Sequence, residues 1–273
     1  MQGKRIGEGR TAEVWEHGAG KILKLYREDI PAHDAEREYE ISKYAFGQNL
    51  QTPRPFELVA DQERKGIVFQ QVFGRSMLGL IGKKPWKLGE YAGQLAALHY
   101  DLHKLQGPDA SGRQKESLKS SIIAAPMLLM EEKTAILAKL EPLPAGDRLL
   151  HGDFHPDNVL MDGQAWIIDW MNGTAGNPVG DAARTVVLLS MGTLPPGASL
   201  STRFVTGFIR QRLTKGYIRE YLRLSGLAYS EVNAWVLPVA AARLTEGIPL
   251  AEKEQLVREI RRRLRPESFR SGH

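Results

Sequence analysis

Hydrophobic and polar positions divide the chain into a β-rich beginning and a mostly helical remainder. Short apolar segments separated by glycines predict strands at Lys4–Ile6, Glu13–Glu16, Lys21–Tyr26 and Gly66–Phe73. Between the third and fourth strands, the pattern changes to the 3.6-residue period of a helix over Asp34–Phe46. The beginning of the chain therefore predicts a small sheet with one helix.

Helical periodicity dominates the rest of the chain. Apolar positions in Leu88–Leu105 predict an amphipathic helix, and Met127–Leu140 and Phe204–Leu224 show looser forms of the same pattern. One hairpin interrupts them, because Val159–Met161 and Ala165–Ile168 flank an Asp-Gly pair that suits the positive φ of a two-residue turn. Together these patterns predict an α+β fold with a small β-rich part and a larger helical part.

Composition narrows the class of protein. The 273 residues are 42% hydrophobic and 25% charged, as in ordinary soluble domains. No apolar run reaches the ~20 residues that cross a bilayer, and the first residues lack the apolar stretch of a signal peptide. Without cysteine, disulfides and thiolate metal sites are excluded. We therefore expect a cytoplasmic protein with no membrane partner.

The formal net charge of +5 is concentrated at one end of the chain. Residues 251–273 hold seven Lys or Arg and four Glu, which leaves little excess elsewhere. Leu256, Ile260 and Leu264 follow a helical period, so a solvated C-terminal helix is favoured over a polyanion-binding patch. No nucleic-acid partner is expected.

The most informative stretch reads His-Gly-Asp-Phe-His-Pro-Asp-Asn from His151 to Asn158, and Asp169 follows eleven residues later. Phosphoryl transfer needs a carboxylate that accepts the proton of the acceptor hydroxyl. It also needs amide and carboxylate oxygens that hold Mg²⁺. The spacing favours Asp153 as the base and Asn158 and Asp169 as metal ligands.

Two other interpretations of this stretch stay open from the residues alone. One is a plain hairpin flanked by turn-forming Asp and Asn. The other is a histidine and carboxylate metal site of a hydrolase, since His151 and His155 alternate with Asp153 and Asp157. A binuclear hydrolase usually has a second histidine two residues after the first, and that position is Asp153 here.

Gly7 and Gly9 lie between two strand-like segments near the start of the chain. A dinucleotide-binding loop would have a third glycine at the position of Ala12 and a helix after it, and no Gly-Lys pair precedes Ser or Thr. A P-loop is therefore excluded. A glycine-rich hairpin over nucleotide phosphates and a plain surface turn both remain.

Lys24 stands in an apolar strand, where strict alternation with Leu23 and Leu25 would point it to solvent. Glu38, however, falls on the apolar face of the predicted helix, and an acid in that position calls for a cation. The second interpretation is that Lys24 and Glu38 pair, as the nucleotide lysine and helix glutamate of kinases do.

With these motifs the sequence resembles the aminoglycoside phosphotransferase and choline kinase-like family over roughly residues 4 to 250. His151–Asn158 is similar to the catalytic loop of that family, and Ile-Ile-Asp-Trp, ending at Trp170, is similar to its second metal motif. The resemblance implies a bilobal protein-kinase-like fold, with an N-lobe and hinge over residues 1–74 and a helical C-lobe over 75–273. It also implies that the backbone near Gln71 and Val72 binds adenine and that Asp181 is structural.

The implied activity is transfer of the ATP γ-phosphate, with Mg²⁺, to a hydroxyl of a small molecule such as a metabolite or an antibiotic. Gly7, Gly9, Lys24 and Glu38 would serve the nucleotide, and GTP stays open as the donor. A protein kinase and a nucleotide-binding regulator without turnover are the alternatives on the same fold. No Ala-Pro-Glu segment follows Asp169, which disfavours a protein substrate.

The charge of residues 181–250 bears on the acceptor, because this segment holds four acids against eight Lys or Arg. A polycationic antibiotic requires a field of opposite sign. The balance therefore favours a neutral, singly charged or anionic acceptor, and Glu246 is the acid that we expect to contact it.

His99 and His103 are four residues apart on one predicted helix, a spacing that can bind zinc. The residues between them lack the glutamate of a metalloprotease helix. The sequence therefore favours a structural role for both.

Overall fold

The computed structural model describes residues 3–61, 64–108, 113–191 and 199–265, with side chains from residue 205 onward in the helix that begins at Leu200. Contacts divide the chain into two compact units. The first combines Met1–Lys83 with His151–Gly173, and the second combines Lys84–Leu150 with Thr174–His273. The segment of the predicted catalytic loop thus belongs with the N-terminal sheet. The lobes expected at residues 1–74 and 75–273 are a different division and stay a prediction.

The described elements up to Ser76 are mainly strands, and those after it are mainly helices. The strands are β1 (Arg5–Glu8), β2 (Ala12–Glu16), β3 (Lys21–Tyr26), β4 (Pro55–Asp61), β5 (Arg64–Gln70), β6 (Arg75–Ser76), β7 (Arg148–Leu150), β8 (Val159–Asp162), β9 (Gln164–Ile167) and β10 (Thr174–Gly176). The helices are α1 (Ala32–Gly47), α2 (Met77–Lys83), α3 (Leu88–Leu102), α4 (Arg113–Ala124), α5 (Met130–Leu140), α6 (Pro178–Met191), α7 (Leu200–Ser225), α8 (Tyr229–Ala242) and α9 (Leu250–Leu264).

The first unit is built on an antiparallel sheet with strand order β1-β2-β3-β5-β4. Both faces of this sheet bury apolar side chains. One face forms a core with Ala35 of α1, and the other packs Leu23 and Leu25 against Val68. Because both faces are covered, alternation along β3 does not send Lys24 to solvent: its side chain is only 12% exposed. The solvent interpretation of Lys24 is wrong.

The predicted hairpin is present as β8 and β9, which form a second small sheet with β6. Its turn is tighter than expected. Asp162 still pairs with Gln164, and only Gly163 adopts a left-handed φ, of 67°. A single glycine therefore makes the reversal, in place of the two-residue Asp-Gly turn that the sequence predicts.

The second unit is mainly helical. Helix α3 packs against α7, and α6 packs against α7 and α8, while β7 and β10 form a short antiparallel pair. Helix α5 begins at Met130, three residues later than predicted, because Met127 has a left-handed φ of 66° that no helix tolerates. None of the described helices is both long and apolar enough to span a bilayer.

Strand β4 was not predicted, and neither were the two- and three-residue strands β6, β7 and β10. Strand β4 lies at the edge of the first sheet and begins at Pro55, and its apolar residues do not alternate strictly with polar ones, since Leu58, Val59 and Ala60 are consecutive. Proline is tolerated at the first position of an edge strand because no ladder hydrogen bond is lost there. The proline and the irregular alternation do not predict a strand. The segment is recognisable as a strand from its antiparallel pairing with β5.

Candidate active site

The predicted catalytic loop follows β7 and turns sharply at Gly152. The φ of Gly152 is 74°, and a Cβ at that position would lie 2.2 Å from the carbonyl oxygen of Asn172. No side chain fits such an approach, so only glycine permits the loop to close on the segment after Asp169. The buried His151 places its Nε2 3.0 Å from the carbonyl oxygen of Ile168, which joins the same two segments.

The far end of the loop is a short 3₁₀ turn over Pro156–Asn158. The side-chain Nδ2 of Asn158 donates to the carbonyl oxygen of Asp153 at 2.9 Å, and the backbone amide of Asp157 donates to His155 Nδ1 at 3.2 Å. His155 Nε2 lies 3.4 Å from Asp153 Oδ2. The Asp153 side chain is 15% exposed, so the loop holds this carboxylate in place and leaves it within reach of solvent.

Lys24 is the centre of the charged groups. Its Nζ donates to both carboxylate oxygens of Glu38, at 2.7 and 2.9 Å, and to Asp169 Oδ1 at 2.8 Å. Glu38 is 1% exposed on the inner face of α1, and the Tyr26 hydroxyl donates to its Oε2. The pairing of Lys24 with Glu38 that the sequence suggested is present, and Asp169 joins it.

The pKa values in this cluster follow from burial and opposite charge. Burial disfavours the charged ammonium, but the carboxylates of Asp169 and Glu38 outweigh it and raise the pKa of Lys24. Burial also opposes the charged form of Asp169, yet the Lys24 ammonium lowers the pKa of that carboxyl. For Glu38, burial prevails and raises the pKa. Lys24 and Asp169 are therefore held in their charged forms at neutral pH.

Asp169 is held in an unusual backbone conformation. Its φ is 67°, in the left-handed region that costs a non-glycine residue ~1 kcal/mol or more. The residues on either side are anchored, because the Ile168 amide donates to the carbonyl oxygen of Asn158 at 3.0 Å and the Trp170 indole donates to Thr52 Oγ1 at 2.9 Å. The surrounding contacts therefore fix the direction of the Asp169 carboxylate.

A cavity of about 440 Å³ in the first unit brings most of the predicted residues together. Its walls combine charged groups with an apolar slot whose side chains the sequence analysis did not single out. The predicted residues on its lining are Gly7, Gly9, Lys24, Glu38, Gln71, Val72, Asp153 and Asp169. The apolar side chains on its lining include Ala12, Ile22, Phe69, Leu160 and Ile168. Asn158 and Glu246 are not on that lining.

Gln71 and Val72, which are predicted to bind adenine, line the cavity, and one of their backbone groups is already occupied. The amide of Gln71 already donates to the carbonyl oxygen of Gly20 at 2.8 Å. The backbone groups that could still bind adenine are therefore the carbonyl of Gln71 and the amide of Val72.

Tyr26 is a functional candidate that sequence reasoning missed. Its hydroxyl is buried and donates to the buried carboxylate of Glu38. The available signal was its position two residues after Lys24, since residues i and i+2 of a strand share one face. The direct contact of Lys24 with Asp169 had no such signal, because the two residues are far apart in sequence.

Glu246 lies in the second unit, in a group of its own. Its carboxylate accepts from Arg184 at 2.7 Å and from Arg243 at 2.5 Å. Arg243 also donates to Glu252 at 2.7 Å, and both of these side chains are buried. The expected contact of Glu246 with an acceptor stays a prediction, and any such contact would have to accommodate the two arginines.

The oxygen donors of the site fit Mg²⁺. The side-chain nitrogen of Asn158 is committed to the loop, so its Oδ1 is the atom that would ligate an ion. The Asp169 side chain is 37% exposed, so an ion can reach its carboxylate. Hard cations take carboxylate and amide oxygens, and this pair supplies both.

The sheet, the pairing of Lys24 with Glu38 and the loop that ends at Asn158 define an α+β protein-kinase-like fold, which solved structures share. Residues 2–227 match the model of the phosphotransferase enzyme family, APH. Because this match covers most of the chain, the protein belongs to that family. Comparison with curated protein sequences finds no match.

Solved structures with similar folds are remote in sequence. A thermostable mutant of aminoglycoside phosphotransferase APH(4)-Ia, in a ternary complex with ADP and hygromycin B, is 14% identical with a TM-score of 0.64, over 96% of this chain and 92% of that one. A choline/ethanolamine kinase family protein from Mesorhizobium loti is 15% identical with a TM-score of 0.57, over 98% and 89%. APH(3'')-Id from Streptomyces rimosus, in complex with ADP and streptomycin, is 15% identical with a TM-score of 0.55, over 86% and 91%. At these identities the likeness establishes the fold.

Proposed function

We propose that the protein transfers the γ-phosphate of ATP to a hydroxyl group of a small molecule. The observation that carries the proposal is the contact of Lys24 with both Glu38 and Asp169 at the cavity that Asp153 also lines. A lysine held by a helix glutamate, a metal-type carboxylate and a loop carboxylate are the parts that phosphoryl transfer requires. Membership of the phosphotransferase family supports the same reaction.

The cavity suits a nucleotide. The apolar side chains of Ile22, Phe69 and Leu160 offer a slot for a planar base, and the backbone of Gln71 and Val72 offers hydrogen bonds to its edge. Gly7 and Gly9 would cover the phosphates. The ADP complexes of the structural neighbours support this placement. Parallel assays with ATP and GTP would identify the phosphate donor.

Catalysis would consist mainly of positioning and charge neutralisation. Asp169 and Asn158 would hold Mg²⁺, which neutralises charge on the polyphosphate. Lys24 would exchange its contact with Asp169 for phosphate oxygens while Glu38 and Tyr26 keep it aligned. Asp153 would accept the proton of the acceptor hydroxyl as its oxygen attacks the γ-phosphorus, while the bond from that phosphorus to the bridging oxygen breaks and ADP leaves. His155 Nε2 would orient the Asp153 carboxylate.

We infer an acceptor that is neutral, singly charged or anionic. Four acids against eight basic residues over 181–250 give little attraction for a polycation. One of the four, Glu246, already pairs with Arg184 and Arg243. Two structural neighbours hold hygromycin B or streptomycin, so aminoglycosides belong in the test as the opposing case. A cytoplasmic location stays a prediction.

The test incubates the full chain with MgATP and a panel of hydroxylated compounds, and detects phosphorylated products by mass spectrometry. The panel should contain sugars, amino acids, choline, sugar acids and two aminoglycosides, with GTP replacing ATP in a parallel series. Asp153→Asn serves as the matched inactive control. We expect a phosphorylated product from a neutral, singly charged or anionic compound, and none from the control.

Three results would contradict parts of the proposal. Nucleotide binding without any product would favour the regulator, and phosphorylation of a protein such as casein in preference to every metabolite would favour a protein kinase. Efficient phosphorylation of kanamycin, with kcat/KM above ~10⁴ M⁻¹s⁻¹, would overturn the acceptor charge alone.

A further inference from the structure

A buried cluster in the second unit joins two histidines to one carboxylate. His99 and His103 lie one turn apart on α3, and Asp181 lies in the first turn of α6. None of the three residues is more than 5% exposed. The Nε2 atoms of the two imidazoles lie 3.1 and 3.3 Å from the same oxygen, Oδ2 of Asp181.

Tyrosines of α7 contact the other nitrogen of each imidazole. The hydroxyl of Tyr217 lies 2.7 Å from Nδ1 of His99, and the hydroxyl of Tyr221 lies 2.7 Å from Nδ1 of His103. Tyr217 is held in turn by a hydrogen bond with Thr185. Each imidazole is therefore oriented at Nδ1 and directs Nε2 to the carboxylate.

The distances are compatible with two explanations of this cluster. An N–H···O hydrogen bond spans about 2.7 to 3.2 Å, so the 3.1 Å contact of His99 lies inside that range and the 3.3 Å contact of His103 lies just beyond it. The tyrosine contacts on the same rings are shorter than either, at 2.7 Å. Ligands ~2.0 to 2.1 Å from a tetrahedral Zn²⁺ are roughly 3.3 Å apart, which is close to the observed spacing.

The arrangement around the ligands also agrees with a metal centre. A metal-bound histidine almost always donates its other N–H to a fixed acceptor, and the two tyrosine hydroxyls occupy those positions. Two imidazoles and a carboxylate are ligands of Zn²⁺ and related cations rather than of Mg²⁺. The three ligand atoms all lie within 4.8 Å of one another.

We propose that His99, His103 and Asp181 form a structural site for a divalent transition cation, with Zn²⁺ as the best match. The ion would link α3 to α6, and a second Asp181 oxygen or a water would complete its coordination. Deep burial and the absence of a glutamate between the histidines argue against hydrolytic chemistry here. The proposal does not depend on the phosphotransferase function.

The test measures metal in the full chain, purified without a histidine tag or chelators from zinc-supplemented cells. We expect about one zinc per chain by elemental analysis and an X-ray absorption spectrum with two imidazole ligands. A strong chelator should remove the ion and lower the Tm, and added Zn²⁺ should restore both.

Variants connect the ion to these residues. His103→Ala should lose the zinc, whereas His33→Ala, whose side chain is 76% exposed, should retain it. Tyr221→Phe keeps every ligand and should bind zinc ~10 to 100-fold more weakly. The proposal would be overturned if the wild-type protein contained no stoichiometric ion and its Tm changed with neither chelator nor Zn²⁺. It would also be overturned if His103→Ala bound zinc with unchanged affinity. The wild-type measurements decide the matter even if His103→Ala does not fold.

Discussion

Two groups of charged side chains, one in each compact unit, differ in the balance of positive and negative charge. In the first unit a single ammonium, Lys24, lies between the carboxylates of Glu38 and Asp169. In the second unit the guanidinium groups of Arg184 and Arg243 face two carboxylates, which belong to Glu246 and Glu252.

The difference lies in what each group still needs. The Lys24 group carries one negative charge in excess, lies on a cavity and includes a carboxylate that is 37% exposed. Buried net charge is unfavourable, so this group is suited to receive a cation from solvent. The Arg243 group contains equal numbers of opposite charges, and its central pair is buried. The first arrangement fits a site that binds Mg²⁺ and nucleotide, and the second fits a contact that holds helices together.

Substitution of Asp153, whose carboxylate lines the same cavity as the Lys24 group, should have the largest effect. Asp153→Asn should lower turnover by ~10² to 10⁴, which is the usual contribution of a positioned acid or base. MgATP affinity should be nearly unchanged because Asp153 is not a proposed metal ligand. Turnover with the acceptor found in the panel and MgATP affinity by calorimetry measure the two quantities. Wild-type turnover in this variant would remove Asp153 from the mechanism.

The Arg243 group should respond in stability and not in nucleotide binding. Glu252→Gln should lower the free energy of unfolding by roughly 3 kcal/mol, the lower end for breaking a buried pair, because Arg243 keeps Glu246. Glu254→Gln, an exposed position on the same helix, is the matched control and should change stability little. Urea titrations measure the difference. A similar small loss in both variants would show that the buried pair contributes nothing special.

Asp169→Asn should have the opposite profile. The substitution removes the excess negative charge but leaves Lys24 paired with Glu38, so stability without ligand should change little. Affinity for Mg-nucleotide should fall at least ~10-fold, or about 1.4 kcal/mol, because a charged ligand of a hard cation is lost. Calorimetric titrations with Mg²⁺ and with EDTA separate the metal effect. Equal affinity for the wild type and the variant with Mg²⁺ present would refute the metal role.

The pair of Lys24 and Glu38 should be strongly coupled. Lys24→Ala should raise the KM for ATP more than Glu38→Ala does, because Glu38 acts through the lysine. A double-mutant cycle should give an interaction energy of about 0.5 to 3 kcal/mol, as for residues in direct contact. Coupling near zero would mean that the ion pair does not align Lys24 for the nucleotide.

Glu246→Gln should have the smallest effect. The Glu246 side chain is 28% exposed, and pairs of this kind contribute about 0 to 1 kcal/mol. A raised KM for the acceptor without a change in Tm would support the contact predicted from the sequence. A fall in Tm with an unchanged KM would assign Glu246 to the Arg243 group alone.

Much of the proposed site could be predicted because it depends on short spacings. Asn158 lies five residues after Asp153 in one turn of the loop, and the hairpin carries the chain from Asn158 to Asp169 within eleven residues. Glu38 was identifiable because a helix wheel depends only on the repeat of the helix. In each case local backbone geometry determines which side chains share a face.

Other features depended on contacts between distant residues. Strand β4 is recognisable only from its pairing with β5. The burial of Lys24 follows only from the packing of apolar side chains on both faces of the sheet. The backbone amide of Gln71 donates a hydrogen bond to the carbonyl oxygen of Gly20, and no local pattern predicts this contact. Asp181 was expected to be structural, but its two histidine partners come from a different helix.

The sequence by itself determined the β-rich beginning and the mainly helical remainder, the catalytic-loop motif and the inward position of Glu38, because strand alternation, helix period and turn chemistry are local properties. Only the tertiary structure decided that Asp169 contacts Lys24, that Glu246 is held by two arginines and that Asp181 lies between two imidazoles. Those contacts join residues far apart along the chain. Their geometry depends on packing between elements, which no spacing in the sequence records.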